Sequence, residues 1–397
     1  DVYKRQMIKT SIYISIFINF IFSNVLDDKY RDISIQIISQ ALTDSTAYNR
    51  LAYMCDKFGP RLSGSPNLEN SINWILKEMK KDSLVNVKGE RVKVPIWRRG
   101  DEYIQLLKPH NREVNMLGLG GSVSTPRGGI VGELIVVDDF EELKQKKDEI
   151  KGKIVLYNCV FTSYSETVSY RYYGAIEAAK YGAVASLVRS IGPWSMNTPH
   201  TGVMGYDQNV KKIPHAAITI EDAMSFSRLY KAGEKIILKI KMDARQGSDG
   251  WSRNVIAELR GSKYPDEIVV VGGHIDSWDV GQGAHDDGGA CIASWEVLRI
   301  IKLLNLKPKR TIRCVLWTNE ENGLRGAQAY RDMHLDEMNN HIVAIESDGG
   351  VFSPVGFGFS GSENDFKLVK KIHDLLEPLK ANNATIGGVA ADIGPLH

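Results

Sequence analysis

Three segments in the last third of the chain each run from an apolar stretch into an acidic or imidazole side chain, and this pattern constrains the fold more than any other feature. Ile268-Val269-Val270-Val271 leads into Gly272-Gly273-His274-Ile275-Asp276. Thr311–Thr318 leads into Asn319-Glu320-Glu321, and Ile342–Ser347 leads into Asp348-Gly349-Gly350. The first of these, a continuous apolar run, reads as a buried parallel strand, and the other two read as further strands. Helical spacing over 287–304, 324–333 and 337–340 separates them. Strands alternating with helices predict an α/β fold with a doubly wound, mostly parallel sheet. In such sheets sites form beyond the carboxyl ends of the strands, and here each of the three strands delivers a polar group at that end.

A fourth contributor is the glycine-rich stretch Gly281–Gly289, which puts Asp286 at the start of a helix with Asp287 positioned to cap it. His274, Asp286, Glu321 and Asp348 form a nitrogen and oxygen donor set suited to zinc. Carboxylates gathered this closely repel one another. Two divalent ions about 3.5–4 Å apart, bridged by one carboxylate, would remove that cost and create a hydrolytic site. Asp276 stands two residues past His274, where it can orient the imidazole. Glu320 faces away from Glu321 in an extended chain, which makes it the candidate general base. Each element taken singly is a common turn or strand end; the combination is what points to a metal. His110, His200, His215, His285, His334, His341 and His373 fall outside it and read as structural or surface residues.

Upstream, residues 48–81 have helical apolar spacing interrupted by the turn Gly59–Pro66, and 84–107 read as two strands. The texture changes near Pro126. Strands at 130–137, 153–157, 184–188 and 213–220, alternating with helices, suggest a smaller α/β module inserted into a larger one, which resumes near Arg253. Met7-Ile8-Lys9 followed by the apolar run 12–22 fits a secretory signal peptide and is short for a membrane span. Asn383-Ala384-Thr385 is a glycosylation sequon consistent with that route. Lys and Arg number 50 against 48 Asp and Glu, so no basic field is available to recruit nucleic acid. The four cysteines contain no CxxC pair and do not make a disulfide framework; Cys291 and Cys314 read as buried thiols.

The stretches GGHIDSWDVGQGAHDDGGA (272–290), LWTNEENGLRGAQAY (316–330) and ESDGG (346–350) resemble the co-catalytic dinuclear zinc exopeptidases, in the branch that carries a protease-associated insert. With FGPRLSGSPNLE (58–69), the resemblance covers nearly the whole chain after the leader. It implies a leader and signal peptide at 1–26, a pro-segment at 27–45 and a catalytic domain in two parts, 46–125 and 246–397, around a protease-associated insert at 126–245. It also implies two zinc ions. Asp286 would bridge them, His274 and Asp348 would serve one, Glu321 the other, and Glu320 would be the base acting on the water between them. A cis peptide at Asp286–Asp287, a small peptide or dipeptide substrate cleaved by a carboxypeptidase or dipeptidase, a homodimer, no stable membrane span after signal removal, and a secreted or lysosomal location follow from the same resemblance. The family's last ligand is a His well beyond the segment matching Ala391-Asp392-Ile393. The chain reaches only His397, so the second ion is expected to have just Asp286 and Glu321 from these residues. The alternatives are an aminopeptidase on the same scaffold, a catalytically impaired shortened relative, and a single-zinc glutaminyl cyclase-like acyltransferase.

Overall fold

The structure is a computed structural model that describes residues 29–350, 352–388 and 391–396. The expected signal peptide lies outside the described residues. Two large sheets organise the chain. The first has five strands in the order Val85–Val94, Gly250–Leu259, Arg310–Trp317, Tyr264–His274 and His341–Glu346. Gly250–Leu259 is antiparallel to both of its neighbours, whereas Tyr264–His274 is parallel to both of its own, so four strands run one way.

Period-2 alternation sends successive side chains of these strands to opposite faces. Val255, Ala257, Cys314 and Leu316 pack on one face against Met54, Leu68, Ile72, Ile75 and Met79, from helices Thr46–Phe58 and Pro66–Lys81, and against Cys291, Ile292, Trp295 and Leu298, from helix Gly289–Leu303. Ile256, Val315 and Trp317 turn to the other face, where Ala327 and Tyr330 of helix Arg325–Met333 cover them. Helices on both faces leave the strand ends as the open rim. Pro66–Lys81 starts where sequence dictates, with Pro at its first turn and the Ser65 side chain accepting from the Leu68 amide. Cys291 and Cys314 are buried free thiols.

The second sheet has eight strands in the order Arg112–Val114, Glu102–Lys108, Ile237–Met242, Ile130–Val137, Ile154–Tyr157, Ala185–Arg189, His215–Ile218 and Met116–Gly118. Its four central strands, from Ile130–Val137 to His215–Ile218, are parallel. Glu102–Lys108 enters this sheet by pairing with Ile237–Met242. The sheet therefore starts ahead of the change in texture at Pro126, because a pairing across more than a hundred residues leaves no local signal. Among the described residues no helix is long and apolar enough to cross a membrane.

Candidate metal centre

Parallel strands with matched register end at one level. His274 is the last residue of its strand and pairs with Trp317 across the ladder. Glu320 and Glu321 follow that neighbour by three and four residues, and Asp348 lies two residues past Glu346 on the other side. Asp286 arrives separately, on the 284–288 turn. Gly283, with φ 58°, opens the turn, and the Asp286–Asp287 peptide is cis, at the bond the resemblance implied.

The four groups meet at His274 Nε2. Asp286 Oδ1 is 3.0 Å away, Asp348 Oδ1 3.3 Å and Glu320 Oε2 3.9 Å. The other ring nitrogen, Nδ1, is 3.0 Å from the Asp276 backbone carbonyl. In the neutral ring this contact suits the tautomer with its proton on Nδ1, which turns Nε2 and its lone pair toward the acidic groups. Asp276 thus orients the imidazole through its backbone and not through its carboxylate, which stands 3.9 Å from Nδ1. That carboxylate accepts instead from the amides of Glu320 (3.1 Å) and Glu321 (3.4 Å) and from the Ser63 hydroxyl (3.1 Å). It is the clamp that shapes the Glu320-Glu321 turn. Glu321 Oε1 accepts from the Trp278 amide at 3.1 Å.

Asp287 does not cap the following helix, which starts at Gly289 with no side-chain cap. Its carboxylate turns inward, and Oδ2 accepts from the His274 amide at 3.0 Å. By distance alone, donor atoms of His274, Asp287 and Asp348 lie within 4.8 Å of one another. Asp287 nevertheless spends one oxygen on the His274 amide and is fully buried, whereas Asp286 is 56% exposed and in direct contact with Nε2. Asp286 is the better placed to meet an ion arriving from solvent.

The electrostatics argue for a cation. Burial first, then the charges of Asp276, Asp348 and Asp286, push Glu320 up to about 7 against the help of His274. Burial, followed by Asp286, holds Glu321 well above the carboxylate range. His274 is raised well above its ordinary value, because contacts with Asp286 and Asp348 outweigh the burial that opposes protonation. Asp392 is fully buried with no hydrogen-bond partner among the described residues on either carboxylate oxygen, and its pKa stands high through burial. Glu346 brings it there by accepting from the amides of Ala391, Asp392 and Ile393. Glu320, Glu321 and Asp392 are thus held toward their neutral forms, while the His274 contact outweighs burial and keeps Asp286 low. A cluster of acids around one imidazole that resists full ionisation fits a divalent cation.

The structure therefore gathers Asp286, Asp348 and Glu320 around His274 Nε2, with Glu321 the next residue along the chain. Sequence reading missed Asp392, whose burial depends on long-range packing. It also set His200 apart as a structural or surface residue; the side chain is exposed, and the Asp286 carboxylate and the His200 ring lie close enough to influence each other's protonation. His215 is structural as expected, fully buried between Ser186 Oγ and the Tyr170 carbonyl.

Residues 254–391 match the model of peptidase family M28. Carboxypeptidase Q of Mus musculus is 45% identical over 367 residues, covering 92% of this chain and 78% of that one. A peptidase M28 precursor from Shewanella amazonensis SB2B superposes with a TM-score of 0.89 at 31% identity, covering 93% of this chain and 86% of that one. A zinc aminopeptidase from Bacillus subtilis, 22% identical, shares the fold with a TM-score of 0.65 over 88% of this chain and 81% of that one. The strand ends, the carboxylates gathered there and these likenesses agree: the chain belongs to peptidase family M28, in the group of the carboxypeptidases Q.

Proposed function

We propose that the chain is a zinc-dependent exopeptidase that hydrolyses dipeptides or short peptides in the manner of a carboxypeptidase or dipeptidase. The observation that carries this reading is the meeting of Asp286, Asp348 and Glu320 at His274 Nε2, at the rim where three parallel strands end. His274, Asp286 and Asp348 would hold one zinc ion, and Asp286 and Glu321 would contribute to a second. Zinc supplies Lewis-acid polarisation of a carbonyl and makes water more acidic. Glu320 is the proton carrier. Its carboxylate is 23% exposed, is not needed as a ligand, and has a pKa close to neutral, which suits a group that takes a proton from the attacking water and returns it to the leaving amine. Asp276 holds the turn that aims Glu320.

Strands Val85–Val94 and Gly250–Leu259 are neighbours in the first sheet, and the chain between them supplies the whole second sheet. This connectivity supports reading the second sheet as the protease-associated insert. Entry into the secretory pathway and a homodimer belong to the same proposal, on the strength of the leader and the resemblance.

The test is Glu320→Ala assayed on an unblocked dipeptide, its amino-terminally acylated form and a longer peptide, with zinc content measured in parallel. Turnover should fall by about a hundredfold or more with zinc retained. Unchanged turnover would remove Glu320 as the base. Cleavage confined to long peptides from their amino end would favour an aminopeptidase.

A further inference from the structure

His200 lies in the loop between strands Ala185–Arg189 and His215–Ile218 of the second sheet, yet its backbone is tied to the metal centre. Its amide donates to Ser190 Oγ at 2.9 Å. Thr201 is held three ways: its carbonyl accepts from Arg171 Nη1 at 3.2 Å, its hydroxyl donates to the Gly118 carbonyl at 3.4 Å, and the same hydroxyl accepts from Arg99 Nη2 at 3.4 Å. The Gly120 amide donates to Gly202 O at 2.9 Å and the Met204 amide to Gly120 O at 3.0 Å. Gly120 lies against the Trp278 indole, where a Cβ would come within 2.0 Å of the ring, and the Trp278 amide holds the Glu321 carboxylate. Arg99 forks onto Asp279, one residue along, at 2.9 and 2.6 Å. These links leave the 200–204 segment little freedom to drift from the centre.

The His200 side chain remains exposed. Enough protein flanks the ring that loss of solvation, and then Arg171, push its pKa down to about 4, while Asp286 acts in the opposite sense. The imidazole keeps an N–H to donate in either charge state. Arg171 behind it is 6% exposed and forms no ion pair among the described residues. Its terminal nitrogens go to the Thr201 carbonyl and the Tyr164 hydroxyl, and its Nε has no partner among the described residues. A guanidinium buried without a carboxylate leaves an uncompensated positive field. Arg99, by contrast, is neutralised by Asp279 and Glu102.

We infer that His200 and Arg171 form the subsite for the free carboxylate of the peptide substrate, with the imidazole N–H donating to a carboxylate oxygen and the guanidinium supplying the positive field behind it. This rests on the exopeptidase reading and extends it, since it names the part of the substrate that makes a free end necessary. His200 is exposed, so its replacement spares the core.

The experiment measures equilibrium binding of a dipeptide and of its carboxyl-terminal amide to zinc-loaded Glu320→Ala protein, with and without His200→Ala. The free acid should lose at least about tenfold in affinity, the scale of one hydrogen bond to a charged group, and the amide less than about twofold. His200→Gln, which keeps an N–H donor, should recover part of the loss, and zinc content should not change. Equal losses for acid and amide, no loss, no binding of either peptide, or release of zinc would each overturn the assignment. The expected pattern in a protein whose Glu320 form turns over no dipeptide would leave the subsite standing and sink the hydrolytic reading instead.

Discussion

Arg61 offers a test of how the turn carrying Asp286 is held. The residue is fully buried, and its guanidinium spends its donors on backbone carbonyls: Ile275 (3.0 Å), Gly59 (3.2 Å), Gln282 (2.8 Å) and Gly283 (2.8 Å). Its own amide and carbonyl pair with Ser277. One side chain thus joins the residue after His274 to the two residues at the mouth of the 284–288 turn. In Arg61→Met, Gly283 O keeps the Gly288 amide as a second donor, and the other three carbonyls lose the guanidinium. At about 1–3 kcal/mol for each group left unsatisfied, the gross loss is about 3–9 kcal/mol. Relief from burying a charge returns several kcal/mol, about 3, so the midpoint of that range leaves a net cost of about 3 kcal/mol. Expressed locally, opening of the turn becomes easier by about a hundredfold or more. Native-state hydrogen exchange at the Gly288 amide should report that acceleration, and zinc affinity measured by chelator competition should weaken with it. Arg61→Lys, which keeps the charge but not the fork, should fall between. Wild-type protection at Gly288 together with wild-type zinc affinity in Arg61→Met would refute the clamp.

Two further outcomes follow from the same geometry. Asp276→Asn replaces a carboxylate that accepts from the Glu320 and Glu321 amides, and should cost about 10–100-fold in turnover or zinc affinity; steady-state kinetics indistinguishable from wild type would show that the turn holds its shape unaided. Zinc affinity should rise with pH. His274 has a raised pKa and must give up its proton to become a ligand, and Glu321 must ionise from its own raised pKa, so binding releases protons and weakens as pH falls. Chelator competition at pH 5.5 and 7.5 should differ by more than about tenfold, and equal affinities would contradict the ligand set.

The rim of the first sheet was legible in the sequence because the physics there is local. Ile268–Val271 reads as a buried strand, and because parallel neighbours end at one level the residues just past it meet those just past Trp317 and Glu346, even though His341–Glu346 is an edge strand with Ile342, Val343 and Ile345 exposed. What could not be read depends on contacts between distant residues or on exact backbone geometry. Asp287 follows a common cap pattern, but the turn from Gly283 ends non-helically at Asp286 and Asp287, which delays the helix and swings the carboxylate onto the His274 amide. Asp276 sits where an imidazole partner belongs, yet the strand end presents its carbonyl to Nδ1 and frees its carboxylate for the next turn. Arg61 reaches carbonyls more than two hundred residues away, Asp392 is buried by Glu346 gathering the backbone around it, and His200 gains its place through the second sheet; none of these has a spacing to betray it.

The account stands or falls on whether these side chains share a metal. Elemental analysis and chelator competition on the wild-type chain and on Asp286→Ala make that test directly. Removal of the carboxylate in contact with His274 Nε2 should release bound zinc while the far-ultraviolet spectrum keeps its wild-type form. Zinc bound as tightly by Asp286→Ala as by the wild type would contradict it.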